Sequence, residues 1–356
     1  MNDAAAHLYA RVGADRAAAV TLPRDAYVDP TIFDSEVQRV LKAGWLPVAR
    51  TSQVANRGDY HCVDLLDVLL VVSRDHAGGV HVMSRVCRHR GMPVVEGDGN
   101  RKDFSCPYHL WRYGLDGRFQ FAPAMDRSTS FEPANCNLET VVHEEWAGWI
   151  FANLSGDAES LNGSLRPLTA RLSRFDLDRF VTADVLEFDS PWNWKIMVEN
   201  FIESYHHIGP HANTLQRSNP GFGTYATDDV GEFTVLENPA IEGRSSFVVA
   251  CVFPLTLIAI TEGDTPSAVW YEFDRLRSDG FRLRIHMLFT PEQARDEALV
   301  AFVREQIRAI HLEDIPVCEG VQRGYRSSMY ASGPLSHLEG CIWHFHRYLQ
   351  RCYARN

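Results

Sequence analysis

The sequence predicts an α+β chain in two parts: a small all-β domain, then a larger domain with an antiparallel sheet flanked by helices. Three observations predict it. At 356 residues the chain is longer than one compact core usually carries. Between Trp45 and Leu154 the apolar residues come in short runs broken by Gly, Asp and Asn, as strands and turns require. Beyond that stretch, helical and strand patterns occupy separate segments, which suits α+β better than alternating βαβ units.

The elements follow in order. The first 30 residues are Ala-rich and then mixed, and carry no firm pattern. A helix is expected after Pro30, capped by Thr31, with Phe33, Val37, Val40 and Leu41 at helical spacing and Gly44 as its stop. Residues 1–44 form an N-terminal segment expected to pack on the larger domain. The all-β domain spans 45–154, with "LLDVLLVVS", "GGVHVMSRV", "LDGRFQFAP" and "EEWAGWIFANL" as its strands and turns. "SGDAESLNGSLRP" is the most linker-like stretch, so the larger domain is expected over 155–356. Within it "FVVACVFPLTLIAI" reads as buried strand; it contains Pro254 and falls short of the roughly 20 residues of a spanning helix. "FRLRIHMLF" alternates, with Phe281, Leu283, Ile285, Met287 and Phe289 on one face and Arg282, Arg284 and His286 on a wet face. Thr290, Pro291 and Gln293 then read as the start of a long helix towards His311. His344 and His346 read as polar positions of a last amphipathic helix.

Composition narrows the function. A net charge of -11 argues against the basic face that nucleic acid demands and, more weakly, against docking on anionic lipid. The N-terminus has no basic start followed by an apolar block, so a cytoplasmic protein is expected, with no membrane partner. In a reducing compartment the eight cysteines are expected as free thiols or metal ligands. "GFGTYA", from Gly221, follows Asn219-Pro220 rather than a strand and reads as loop, so the chain has no convincing dinucleotide site of its own.

Two pairs of ligand-type residues stand out. Cys87 and His89 sit two apart, Cys106 and His109 three apart, with 16 residues between the pairs. A Cys2His2 zinc site normally keeps both cysteines in one pair. Here each pair mixes one thiol with one imidazole, which suits a 2Fe–2S cluster with two Cys and two His as well as it strains the zinc reading. A second group lies in "NWKIMVENFIESYHHIGPHANTL": Glu203, His206, His207 and His211. Spacing alone does not choose among the histidines, because Gly209 and Pro210 break a helix there.

The groupings "CRHRG" and "CPYHLWRYGLDGRF" resemble the Rieske motif of the Rieske non-haem iron oxygenases, the ring-hydroxylating oxygenase large (alpha) subunits. The resemblance runs from about Trp45 to the C-terminus. It implies that Cys87 and Cys106 hold one iron of a Rieske 2Fe–2S cluster, that His89 and His109 hold the other, and that Trp111 packs close by. The family's catalytic motif resembles Glu199-Asn200 followed by Glu203-Ser204-Tyr205-His206 and His211. That implies His206 and His211 as ligands of a mononuclear Fe(II), with His207 a neighbour. "LEDIPVCEGVQRG" is similar to the family's third-ligand region, which points to Asp314, with Glu319 trailing; helix capping near Pro316 is the other reading of Asp314. Glu203 is implied to bridge His206 to His109 of another chain.

As an enzyme, the chain is then expected to be the oxygenase component of a system using O2 and electrons from an NAD(P)H-dependent reductase, with or without a ferredoxin between them. The intersubunit route implies a homotrimer; an assembly with a separate small subunit is the second arrangement. The product is a hydroxylated or oxidatively demethylated small molecule. Glu at position 203, where many relatives carry Asp, resembles the subset that oxidises quaternary ammonium compounds. An aromatic cage for such a substrate would draw on Trp270, Tyr271, Phe253 and Phe273, whose other reading is core packing. An aromatic compound, dihydroxylated or demethylated, is the alternative. A different class of reading is an electron carrier or zinc-stabilised binding protein lacking the mononuclear iron.

Overall fold

A computed structural model describes residues 4–227, 231–263 and 265–354. The chain divides into two compact units, one from Trp45 to Asn162 and one made of the segment up to Gly44 together with Gly163 onward.

The smaller unit is all-β. Its strands are β1 (Leu46–Arg50), β2 (Asp59–Leu65), β3 (Val68–Arg74), β4 (Val80–Ser84), β5 (Asp98–Asn100), β6 (Phe104–Ser105), β7 (Arg112–Tyr113), β8 (Phe119–Phe121), β9 (Val142–Trp146) and β10 (Trp149–Asn153). They form three antiparallel sheets, β4-β3-β2-β5, β1-β10-β9 and β6-β7-β8. The middle strand β10 is buried along its whole length, so "WIFAN" is apolar without alternating. Its core joins Val71, Met83, Phe104, Trp111, Tyr113 and Leu138 to Cys87 and Cys106. The linker-like stretch stays with this unit up to Asn162, because the Glu144 carboxylate on β9 accepts from the amides of Leu161 and Asn162.

The larger unit begins with α1 (Ala4–Tyr9) and α2 (Pro30–Glu36), which runs on as a π-helical turn over Val37–Leu41. Asp29, not Thr31, caps α2: its carboxylate accepts from the Thr31 amide at 2.8 Å, leaving Thr31 inside the first turn. α3 (Trp194–Phe201) is capped by Asn193 and carries Lys195, whose ammonium meets both oxygens of the fully buried Glu36 at 2.8 Å. Trp194 Nε1 and the Tyr9 hydroxyl donate to the same carboxylate, so one buried acid pins α1 and α2 to α3. Breaking such a pair leaves an uncompensated buried charge and costs roughly 3–5 kcal/mol.

The sheet of this unit runs β11-β17-β16-β15-β14-β13-β12, all antiparallel. Its strands are β11 (Val181–Ser190), β12 (Tyr225–Ala226), β13 (Phe233–Asn238), β14 (Phe247–Val252), β15 (Thr256–Thr261), β16 (Ser267–Arg277) and β17 (Gly280–Phe289). The α+β expectation holds. Thr290 and Gln293 do bond reciprocally, but around a single 3₁₀ turn over Gln293–Arg295. The long helix, α4 (Glu297–Tyr325), starts one turn later, where Asp296 accepts from the Ala298 and Leu299 amides. Pro316 lies inside α4, so Asp314 is a helix-interior residue and not a cap. α5 (Gly340–Ala354) closes the chain, packing on α1 and β13. Its His344 and His346 are buried rather than on a polar face, held by Thr234 Oγ1 at 2.9 Å and Glu199 Oε1 at 2.9 Å. The wet face of β17 is drier than its alternation suggests: His286 is buried under Trp270, ring centroids 4.5 Å apart. Among the described residues no helix is long and apolar enough to cross a membrane.

Candidate metal centres

In the smaller unit two loops are built alike. The Cys87 amide donates to Met92 O at 2.9 Å and the Gly91 amide to Cys87 O at 3.0 Å. The Cys106 amide donates to Trp111 O at 2.8 Å and the Leu110 amide to Cys106 O at 3.0 Å. Each loop thus closes on its own cysteine, and each needs a left-handed residue four positions on, Gly91 at φ 74° and Leu110 at φ 60°. The closure puts both thiols in the core, side by side, and both imidazoles at the rim with ring centroids 4.7 Å apart. Trp111 lies flat on His89 at 4.8 Å and 6°. The Tyr113 hydroxyl accepts from the Arg88 amide at 3.1 Å and sits 3.2 Å from Cys87 Sγ.

In the larger unit α3 stops at Phe201, and a 3₁₀ turn over Tyr205–Ile208 carries His206 and His207, with His211 just beyond it. Gly221 supports this turn: a Cβ there would meet Ser204 O at 2.2 Å, so only glycine lets the 221 loop pass beneath it. His206 Nδ1 pairs with Glu203 Oε1 at 2.6 Å, and Glu203 Oε2 also accepts from the His206 amide at 3.1 Å. His211 Nδ1 pairs with Glu313 Oε2 at 2.7 Å, and Glu313 is fixed by the Thr214 hydroxyl at 2.6 Å. Both rings therefore present Nε2 to Asp314, at 3.6 Å from His206 and 3.0 Å from His211. Donor atoms of His206, His211 and Asp314 lie within 4.8 Å of one another, the one such His, Cys, Asp or Glu group among the described residues. The Asn200 amide reaches Asp314 Oδ1 at 3.4 Å.

Electrostatics fit a cation between them. Burial would lift the Asp314 carboxyl, but the two histidines hold it below its ordinary value. Burial would lower both imidazoles, but Glu203 raises His206, and Asp314 with Glu313 raises His211. His207 points elsewhere: its Nδ1–H donates to Asn219 O at 2.9 Å and burial takes its pKa down to about 4. Glu319 is exposed, away from the group.

A Rieske [2Fe-2S] domain profile matches residues 44–133, and a ring-hydroxylating alpha subunit catalytic-domain profile matches 175–244 and 229–355. The chain belongs to the ring-hydroxylating alpha-subunit family. It is 29% identical over 337 residues to the carnitine monooxygenase oxygenase subunit of Escherichia coli K12, covering 87% of this chain and 85% of that one. It is 26% identical to the chloroplastic choline monooxygenase of Arabidopsis thaliana, covering 92% and 82%. The solved structure of a quaternary ammonium Rieske monooxygenase superposes with a TM-score of 0.86 at 24% identity, covering 96% of this chain and 97% of that one. As a Rieske-type oxygenase subunit the protein is an oxidoreductase whose groups are a Rieske 2Fe–2S cluster and a mononuclear iron.

The residues present fit both groups. His109 Nδ1 is buried with no hydrogen-bond partner, which leaves it available to a metal. Burial and the neighbouring His109 and Arg90 push His89 down, towards the neutral form a metal binds. At the second centre the two Nδ1–H donors are already taken by carboxylates, which fixes the tautomers and frees Nε2. Sequence reasoning missed Glu313. Its neighbour Asp314 drew attention, and nothing in the local pattern says that Glu313 meets His211, 102 residues away. Of the four aromatics that a cage could draw on, three are core packing: Trp270 packs on His286, Phe273 on Phe281, and Phe253 on Tyr348. Alternation along β16 leaves Tyr271 on the site side, 4.6 Å from Phe201.

Proposed function

We propose that this oxygenase subunit inserts oxygen into a small quaternary ammonium compound, hydroxylating it or removing a methyl group. Cys87, Cys106, His89 and His109 would hold the cluster, in the unit from Trp45 to Asn162. His206, His211 and Asp314 would hold the iron, in the unit made of the segment up to Gly44 and Gly163 onward. The observation that carries this reading is the His206–His211–Asp314 group, half-buried at His206 and buried at the other two, with a carboxylate behind each imidazole. An electron carrier has no use for such a group.

When bound, the two groups supply one-electron storage and a redox-active centre with positions left for dioxygen. The chain does the rest. Glu203 and Glu313 hold the imidazole protons, so His206 and His211 keep their tautomers through each turnover. Phe201 and Tyr271 give an apolar, electron-rich wall suited to a trimethylammonium group. Electrons from NAD(P)H would arrive through a partner reductase, with or without a ferredoxin between them. Each turnover takes one O2, two electrons and two protons, and returns one oxygen in product and one in water.

The substrate reading is supported by relatives named for carnitine and choline, both quaternary ammonium compounds. The assembly we infer is a homotrimer in which Glu203 connects His206 to His109 of a neighbouring chain. Tyr205, Ile208, Phe222 and Tyr225 form an exposed apolar rim near His206 that a second copy would cover. The solved relative is itself described in terms of inter-subunit electron transfer.

The test is product analysis with a reductase, NADH and 18O2 over carnitine, choline, glycine betaine and aromatic acids. Labelled oxygen in an ammonium-derived product is expected. Turnover confined to aromatic compounds would replace the substrate reading and keep the oxygenase. Iron content separates the classes: about three irons per chain for the oxygenase, two for a carrier.

A further inference from the structure

His311 is fully buried, and neither of its ring nitrogens has a hydrogen-bond partner. The other buried histidines among the described residues each have one. His207 has Asn219 O, His211 has Glu313, His286 has Glu272, His344 has Thr234 and His346 has Glu199. Two buried polar atoms left unpaired cost more than a leucine of similar size would at the same place. Among the residues with a buried polar atom left unpartnered, His311 is set apart by having both ring nitrogens so placed, and conflicts of this kind gather at functional sites.

Its position says what the site is. His311 lies one turn before Asp314 on the buried flank of α4. The Phe188 ring is 4.5 Å away and the Tyr271 ring 6.0 Å away. Tyr271 in turn meets Phe201, next in sequence to Asn200, whose amide reaches Asp314. The imidazole is therefore set among aromatic rings, one helical turn from the proposed iron ligand. Burial takes its pKa down to about 4, so it offers one N–H donor and one lone pair at neutral pH.

We propose that His311 is the polar anchor of the substrate site, donating its ring N–H to a carboxylate or hydroxyl oxygen of the bound compound. The quaternary ammonium reading above supplies the other end of that compound, and the proposal rests on it to that extent. His311 then separates ammonium compounds that carry an oxygen function from those that do not. A site with a polar group waiting for its partner rejects the analogue that lacks it.

The test compares wild type, His311→Leu and His311→Gln as holoenzymes loaded with cluster and iron, titrated calorimetrically without reductase. The probes come in matched pairs: glycine betaine with tetramethylammonium, and benzoate with toluene. His311→Leu is expected to weaken glycine betaine by about tenfold or more, as loss of a hydrogen bond to a charged group does, and tetramethylammonium by less than twofold. His311→Gln, which keeps a donor, recovers most of the loss. Ligand-free His311→Leu is expected to melt at or above the wild-type temperature, because it removes an unsatisfied buried group. Equal losses for both members of a pair overturn the assignment, as does a His311→Leu protein that melts several degrees lower. Wild type that binds neither ammonium probe overturns the substrate reading instead; the benzoate and toluene pair and the melting comparison then decide His311.

Discussion

A carboxylate on the far nitrogen of a ligand imidazole fixes the ring's tautomer and raises its basicity. Glu203 and Glu313 are placed to do this for His206 and His211. Glu313→Ala is expected to weaken iron binding by about 10–100-fold while leaving the cluster's visible spectrum intact. Glu313→Gln should fall between, since its carbonyl still accepts the Nδ1–H; an iron titration of the cluster-loaded protein reads both. A second consequence at this scale concerns acid–base behaviour. Cys62, half-buried with its thiol 3.7 Å from Val95 O, is pushed up to about 12 by burial, with Arg85 opposing. A raised native pKa means that the folded state keeps its proton where the unfolded chain has lost it. The contribution is present below pH 9.0, the ordinary thiol value, and drains away as pH climbs towards 12. Iodoacetamide mapped by peptide mass should spare Cys62 in the folded protein at pH 9 and label it after denaturation; equal labelling contradicts this. Single residues were legible when a motif carried them, as with the Cys-x-His pair and Tyr205-His206. Glu313 and His311 were not, because their meaning lies in what faces them across the fold.

Among the elements, the two cysteine loops share one backbone pattern although their sequences differ. The left-handed position is glycine in one, Gly91, and a 60% exposed leucine in the other, Leu110. A non-glycine residue there costs about 1–2 kcal/mol. Gly91→Leu should therefore lower the melting temperature and loosen the cluster, while Leu110→Gly should cost nothing in either respect; calorimetry with the visible spectrum distinguishes them. Sequence pattern located the strands, which depend on alternation, better than the helix starts, which depend on one side chain. Asp29 displaced Thr31, and Asp296 displaced Thr290, because a carboxylate two or three residues before the orphan amides reached them. His344 and His346 were misplaced for a related reason. Polar side chains look like a wet face until Thr234 and Glu199 are seen to satisfy them inside.

At the scale of the whole chain, the fold class followed from how strands and helices are distributed, and that much was readable. What could not be read was how the proposed iron ligands meet. His206 and His211 leave the end of α3, Asp314 comes from α4, and the seven strands of the larger sheet include six that lie between them in sequence. Iron bound by that group favours only the folded state. Removing it with a chelator that spares the cluster should lower the melting temperature of the larger unit by about 5–10 °C, as a ligand held near 100 times its Kd would. Unchanged melting would show that the group is formed without need of a metal. Because the donors join only after more than 100 residues of intervening chain have found their places, loading is a late event in biogenesis. A chain with a mispaired strand in that interval never offers a complete set of donors. The metal then works as an inspector, admitting to service only those copies whose sheet has closed correctly.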